Sequence, residues 1–267
     1  MSVIQDIDFE ALAVAKDQDV LRVVMNRPQV ANAMNTVMGG ELRDLFQSIS
    51  KDPQGLRCVV LTGAGERAFC AGADLKERNG MTAAQWGRQH TVFESAALAI
   101  MDCPLPLIGA VNGAAFGGGM ELVLACDFAW GSSTARFALT ETTLGIIPGL
   151  GSTQYLPRAV GTRRAKEIIF SGLPFQADKA LAWGLLNRLC RPENLVDEVM
   201  AMAHRIAANA PIAIREAKQS LNHALQADLK EGYEFELERY RRTVPTRDRL
   251  EGVAAFNEKR KPVFKGE

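Results

Sequence analysis

Asn112-Gly113-Ala114-Ala115-Phe116-Gly117-Gly118-Gly119-Met120-Glu121-Leu122-Val123-Leu124-Ala125-Cys126-Asp127 is the stretch from which the rest of the chain is best read. The apolar run Pro106 to Val111 leads into it and predicts a buried strand. The consecutive glycines Gly117, Gly118 and Gly119 then carry the backbone to a place where only main chain fits. A helix-forming run, Met120 to Cys126, follows at once, with one carboxylate, Glu121, in its first turn. A glycine turn at a helix N-terminus offers free N–H groups and the positive end of the helix dipole, which suits an anion. A carboxylate beside such a site suggests acid–base chemistry on a group whose negative charge the amides hold.

Two other glycine-rich segments follow short apolar strands. In Phe69-Cys70-Ala71-Gly72-Ala73-Asp74-Leu75 the small residues permit close approach, and a helix begins near Asp74. The amide of Ala73 can then join that of Gly118 as two donors on one oxygen, the requirement of an oxyanion hole. The second segment, Thr140 to Gly151, carries another carboxylate, Glu141, in an apolar setting, with the Gly149 amide nearby. Spacing alone leaves the carboxylates open. A lone Glu at a helix start is more often a cap that complements the dipole, and Asp74 and Glu141 both suit N-cap positions.

Around these segments strands and helices alternate. Phe9 to Lys16 and Val20 to Asn26 predict two strands about the turn Asp17-Gln18-Asp19. Asn35-Thr36 caps a helix running through Ile49, and Arg57 to Thr62 predicts a buried strand. Gly63 to Asp74 reads as a loop, Leu75 to Arg78 as a short helix and Thr82 to Met101 as a long one. Phe128 to Gly131, Arg136 to Ala138 and Leu186 to Cys190 predict further strands, and helices begin at Thr153, Thr162 and Gln176. From Glu193 onward the pattern is helical: Glu193 to Asn209, Pro211 to Leu225, Leu229 to Arg242 and Arg247 to Lys259. The class is therefore α/β with a helical C-terminal region.

Composition excludes several functions. The formal net charge of the 267 residues is +0, so no global field favours nucleic acid or an anionic membrane. Hydrophobic residues make up 47%, enough for a sizeable core. The five cysteines are odd in number and hold no C-x-x-C pair, which predicts reduced thiols in a cytoplasmic compartment and no zinc site. Met1 to Asp6 reads as neither a signal nor a transit peptide, and no stretch is long and apolar enough for a membrane span. Gly63-Ala64-Gly65-Glu66-Arg67-Ala68 matches the spacing of a dinucleotide fingerprint, but Phe69 to Ala73 continues the loop where a helix should start. His90, His204 and His223 lie far apart in helical patterns and read as surface or core-edge residues.

Taken together, the segments resemble the crotonase, or enoyl-CoA hydratase/isomerase, superfamily over nearly the whole chain. Asn26-Arg27-Pro28 with Asn32-Ala33-Met34, Phe69 to Lys76, Asn112 to Asp127, the Phe137–Glu141–Gly145–Pro148–Gly149 block and Phe256 to Phe264 occur in that family's order. The subgroup most similar is the methylglutaconyl-CoA hydratase/AU-rich-RNA-binding type, on Phe69 to Arg78 and Pro245 to Gly252. Its RNA-binding relatives carry a lysine-rich helix where Asn35 to Phe46 here holds only Arg43 as a cation, so nucleic-acid binding is not expected. Ser152 and Tyr155 replace the glycine and arginine frequent in the family's P-G-x-G-G-T-Q-R pattern.

The resemblance implies a spiral of ββα units (1–205) that carries the active site. A C-terminal helical region (206–267) would build a homotrimer or a dimer of trimers. The substrate it implies is an acyl-CoA thioester whose oxygen is bound by the amides of Ala73 and Gly118. CoA would lie along Ala33, Ala71, Ala73, Asp74, Leu75 and Gly118, with Lys76 and Lys259 near its phosphates. No metal and no separate cofactor is expected. Hydratases of the family carry two glutamates, matching Glu121 and Glu141, whereas isomerases commonly keep one. The pair points to syn addition of water to a trans-2-enoyl-CoA, with Glu121 on the water, Glu141 delivering the C2 proton and the Gly149 amide a further water contact. A methylglutaconyl-CoA hydratase or an isomerase of the same family, and an RNA-binding protein of the same fold, are the alternatives.

Overall fold

Every residue of the strand Cys58–Gly63 (β3) is buried, and its alternate side chains enter two different cores. Val59 and Leu61 join the larger cluster, while Cys58 and Val60 join a second one on the opposite face. That is the pattern of a strand covered on both sides. The computed structural model describes residues 8–267, and the reading of Met1 to Asp6 lies outside the described residues. Among these, β3 is central to a sheet that also contains β1 (Leu12–Asp17), β2 (Val20–Met25), β5 (Leu107–Val111), β7 (Phe128–Ser132) and β10 (Arg188–Cys190). The order is β1-β2-β3-β5-β7-β10, antiparallel between β1 and β2 and parallel from β2 onward.

A second sheet holds β4 (Ala68–Cys70), β6 (Ala114–Phe116), β8 (Arg136–Ala138) and β9 (Phe175–Gln176), in that order. The chain steps from a strand of the first sheet to one of the second, then through helix, and back: β3–β4, β5–β6, β7–β8. This is a spiral of ββα turns. Residues 68–70, read from sequence as loop, are a strand, and the glycine turn after β5 contains another. Both are three residues long, too short to show alternation.

Helix α1 (Thr36–Lys51) buries Met38, Leu42, Leu45, Phe46 and Ile49, and packs on α3 (Ala83–Met101). Asn35 caps α1 through Met38 N–H, and Thr82 with Gln85 forms a capping box at α3. Gly39 of α1 leaves room for the Phe93 ring of α3. On the other face, α8 (Leu195–Ala207) buries Leu195, Val199 and Ala203 against Val60, Ile108 and Trp130. The helices α9 (Pro211–His223), α10 (Leu229–Thr243) and α11 (Arg247–Asn257) complete the chain, and α10 buries no residue at all. Position 205 falls within α8. All five cysteines are buried and unpaired, and burial pushes the thiols of Cys70 and Cys103 up to about 11.

The loop between β3 and β4 is tied by asparagine side chains. Buried Asn32 donates from Nδ2 to the carbonyls of Ala64 (3.0 Å) and Ala68 (2.8 Å) and accepts from Arg27 N–H (3.0 Å). Asn112, at the end of β5, accepts from Gly63 N–H (3.0 Å) and donates to Gly65 (2.6 Å) and Ala68 (3.2 Å). Asn32 and Asn112 thereby fix the approach to β4 and its first residue, Ala68. No helix starts after Gly63-x-Gly65, as the rejection of a dinucleotide fingerprint required.

Candidate active site

The second sheet brings the two glycine segments together. Gly72 follows β4 with φ +92°, and a Cβ there would lie 2.8 Å from Phe116 O and 3.3 Å from Gly118 N. Only a glycine in the left-handed region lets the two main chains touch in this way. Helix α4 (Gly118–Ala125) starts at this contact, two residues earlier than the sequence suggests. Gly118 is its first residue, so its N–H has no intrahelical partner. Ala73 forms a parallel bridge with Met34 in which Met34 N–H donates to Gly72 O (2.7 Å) and Asp74 N–H to Met34 O (2.9 Å). The Ala73 N–H takes no part in that bridge and has no backbone acceptor among the described residues.

Both segments line a cavity of about 450 Å³ that also holds Glu121 and Glu141. Glu121, 4% exposed, accepts at Oε1 from Leu150 N–H (2.8 Å) and Ser152 N–H (3.2 Å), just ahead of and at the start of α5 (Ser152–Val160). Burial raises its pKa, and these N–H bonds oppose the rise. Glu141 opens a 3₁₀ turn, Glu141–Leu144, and is 8% exposed. Its Oε2 is buried without a hydrogen-bond partner. Burial, reinforced by the nearby Glu121 charge, pushes Glu141 up to about 7. Of two carboxylates in one cavity, one is therefore held by main-chain donors and the other is poised to keep a proton near neutral pH.

The other expected positions fall as follows. Asp74 caps α2 (Leu75–Arg78), accepting from Lys76 N–H (3.0 Å) and Glu77 N–H (3.4 Å), and pairs with Arg27 at 2.9 Å. Its carboxylate is thus occupied, and Arg27 also donates to Ala33 O at 2.6 Å. Ala71 and Leu75 line the cavity, with Leu75 half exposed. Lys76 is exposed and does not line the cavity. Lys259 follows α11 with φ +54° and does not line this cavity. Gly149 lies on the His90 ring, since a Cβ there would stand 2.6 Å from Cε1.

His90, read from sequence as an edge residue, lines the cavity together with Arg78, Trp86 and Phe93 of α2 and α3. The long α3 pattern had no feature that separated a cavity-facing stripe from a solvent-facing one. Among the described residues no group of three or more His, Cys, Asp or Glu is placed to hold a metal ion. No helix there is long and apolar enough to cross a membrane.

The enoyl-CoA hydratase/isomerase family model matches residues 15–267. YngF of Bacillus subtilis, itself assigned only provisionally as an enoyl-CoA hydratase/isomerase, is 43% identical over 255 residues, spanning 96% of this chain and 98% of its own. The short-chain-enoyl-CoA hydratase of Clostridium acetobutylicum is 38% identical over 247 residues, 92% of this chain and 94% of its own. Among solved structures, an enoyl-CoA hydratase from Bacillus anthracis superposes with a TM-score of 0.94 at 42% identity, covering 97% of this chain and 100% of that one.

Proposed function

From the premise that the chain belongs to the enoyl-CoA hydratase/isomerase family of enzymes, we propose that it adds water syn across the C2=C3 bond of a trans-2-enoyl-CoA. The observation that carries this reading is the pair Glu121 and Glu141 in one cavity, with environments that separate their proton affinities. In the proposed reaction Glu121, oriented by the amides of Leu150 and Ser152, takes a proton from water as its oxygen bonds to C3. The C2=C3 electron pair moves to the thioester oxygen, where the N–H groups of Ala73 and Gly118 hold the enolate. Such a donor is typically worth ~3–4 kcal/mol of barrier. Protonated Glu141 then gives its proton to C2. Transfer of a proton from Glu121 to Glu141 restores the starting state.

CoA, on this reading, runs over Ala33, Ala71 and the Ala73–Lys76 turn, with Lys76 near a phosphate. Lys259 reaches CoA only across an assembly, which fits a homotrimer or dimer of trimers. Support for assembly comes from the C-terminal helices, where Leu229 is 91% and Phe256 84% exposed. The reaction needs no metal and no cofactor beyond the CoA of the substrate.

The test follows loss of enoyl-thioester absorbance with crotonyl-CoA. Glu121→Gln and Glu141→Gln should each lower kcat by about 10²–10⁴-fold, the range for a lost general acid or base. Full activity in both variants, or none in the wild type with crotonyl-CoA or longer trans-2-enoyl-CoA, would overturn the proposal.

A further inference from the structure

Ser152 is the first residue of α5 and is 0% exposed. Its N–H, left over at the helix start, donates to Glu121 Oε1 at 3.2 Å, beside Leu150 N–H at 2.8 Å. Its hydroxyl oxygen is buried without a hydrogen-bond partner among the described residues. A serine at a helix start commonly caps the helix, and this one does not. Gly151, with φ +105°, occupies the N-cap, and its carbonyl receives Gln154 N–H (2.9 Å) and Tyr155 N–H (3.0 Å). No side chain caps α5. Ser152 also stands where glycine is frequent in the family's pattern, so the turn itself does not require a hydroxyl.

A buried hydroxyl left unpaired is costly, and rotation about one bond lets it reach an acceptor. The acceptor at hand is the Glu121 carboxylate, which the main chain of the same serine already binds. Against burial, the groups that favour ionised Glu121 are the N–H groups of Leu150 and Ser152, then the Ser152 side chain, then the charge of His90. Glu141, whose Oε2 is also buried without a partner, is shaped by burial, by its own main chain and by Glu121, not by Ser152. Donors at the start of α5 thus gather on Oε1 of Glu121, with the positive end of the helix behind them. Its Oε2 accepts no hydrogen bond among the described residues and is left for a water proton. The other ionisable groups around Glu121 are Glu141, His90 of α3, Arg78 of α2 and Cys70 of β4, whose thiol stays neutral with its pKa at about 11. Tyr155 and Arg158 of α5 line a separate cavity with Asp127.

We propose that Ser152 is a positioning residue whose hydroxyl turns onto the Glu121 carboxylate as a third donor, and so keeps that base ionised where burial would protonate it. This deepens the hydratase reading and rests on it for the role of Glu121. The hydroxyl touches neither the thioester nor the water. It acts only through the carboxylate, by fixing the rotation of Oε1 and leaving Oε2 as the basic edge. Glycine at this position would supply the N–H bond alone, so the serine should let this enzyme work at lower pH than the same chain with glycine there.

The experiment measures kcat/KM for crotonyl-CoA against pH in wild type, Ser152→Ala and Ser152→Gly. Both variants keep the N–H bond to Oε1 and lose the hydroxyl. The acidic limb should move up by about one pH unit, the size of a hydrogen bond to a charged group, with kcat/KM below the limb about tenfold lower. The basic limb should stay in place, since Glu121 is ionised there with or without the hydroxyl. A serine with a merely structural role would lower kcat/KM alike at every pH, or change only the melting temperature. Either result overturns the proposal, as does an unmoved acidic limb. Ionisation is also read without turnover. In the Glu141→Gln background, the infrared band of a protonated buried carboxyl that vanishes on adding Glu121→Gln reports Glu121. Its midpoint should rise by the same amount on adding Ser152→Ala, and a fixed midpoint overturns the proposal even if the protein hydrates no thioester. A wild type inactive on crotonyl-CoA and on longer trans-2-enoyl-CoA, with the midpoint moved, sinks the hydratase reading alone.

Discussion

Glu141 is the residue at which stability and activity pull apart. Its pKa is pushed from 4.5 to about 7 by burial and the neighbouring Glu121. A general acid must be protonated, so kcat/KM should fall as pH rises through about 7. Glu121 must be ionised to take a proton, so an acidic limb should also appear, moved up from the ordinary carboxylate value by burial. Both limbs belong to the pair rather than to either residue. A kcat/KM profile flat from pH 6 to 9 would contradict this assignment. The same raised pKa predicts a stability difference. Below 4.5 the carboxyl is protonated in both folded and unfolded chains and carries no penalty. Above about 7 the folded state must bury a charge, so the wild type loses stability across that window. Glu141→Gln cannot ionise and should be the more stable protein at pH 8. A shift of this size corresponds to at most about 3 kcal/mol, with the advantage gone at pH 4. Denaturant midpoints at the two pH values measure it, and equal midpoints at pH 8 would show that burial does not penalise the ionised form. Gln at this position would thus trade activity for stability, as strained catalytic sites commonly do.

At the scale of elements, the meeting of β4 with α4 builds the site. A Cβ on Gly119 would overlap the Cys70 carbonyl, so this glycine allows the first turn of α4 to press on the end of β4. Gly119→Ala should push α4 away, costing about 1–3 kcal/mol of stability as overpacking does. It should lower kcat beyond what that loss explains, because Gly118 N–H moves out of line with Ala73 N–H. Thermal unfolding with kinetics below the melting point would separate the two effects, and unchanged kcat would place the enolate elsewhere. This juncture also shows what the sequence could reveal. The long strands and α1 declare themselves through apolar runs and caps, and the glycine turn pointed to the Gly118 amide. The strands β4 and β6 did not, because three residues carry no period, and the start of β4 is held by side chains distant from it in sequence, those of Asn32 and Asn112. Arg78 and His90 were invisible for a related reason. A charged residue on a short helix, or a single histidine on the long helix α3, looks solvated until the tertiary fold places a cavity beside it.

At the scale of the whole molecule, the core and the C-terminal helices obey different rules. The spiral buries its central strands β3 and β5 throughout, whereas α10 buries no residue and α11 buries only Asp248 and Ala255. Leu250, Val253 and Phe256 recur along α11 at spacings of three and are 55%, 54% and 84% exposed. On α10, Tyr233 and Tyr240 are 56% and 64% exposed. Residues three apart share a helix face, and a contiguous apolar face on a terminal helix usually marks contact with another chain. Copies of this chain meeting through that face would also bring Lys259, just beyond α11, to a neighbour's cavity. Phe256→Glu leaves the spiral core untouched, since the side chain is outside it, but places a charge in the apolar face. Sedimentation should give the wild type three or six times the mass of the chain and the variant a smaller one, with circular dichroism unchanged. KM for the thioester should rise in the variant, because Lys259 no longer reaches a CoA phosphate, while Lys259→Ala alone should raise KM and leave the assembly whole. A wild type that sediments as a single chain would remove Lys259 from the binding site, since nothing in the lone chain brings it to the cavity.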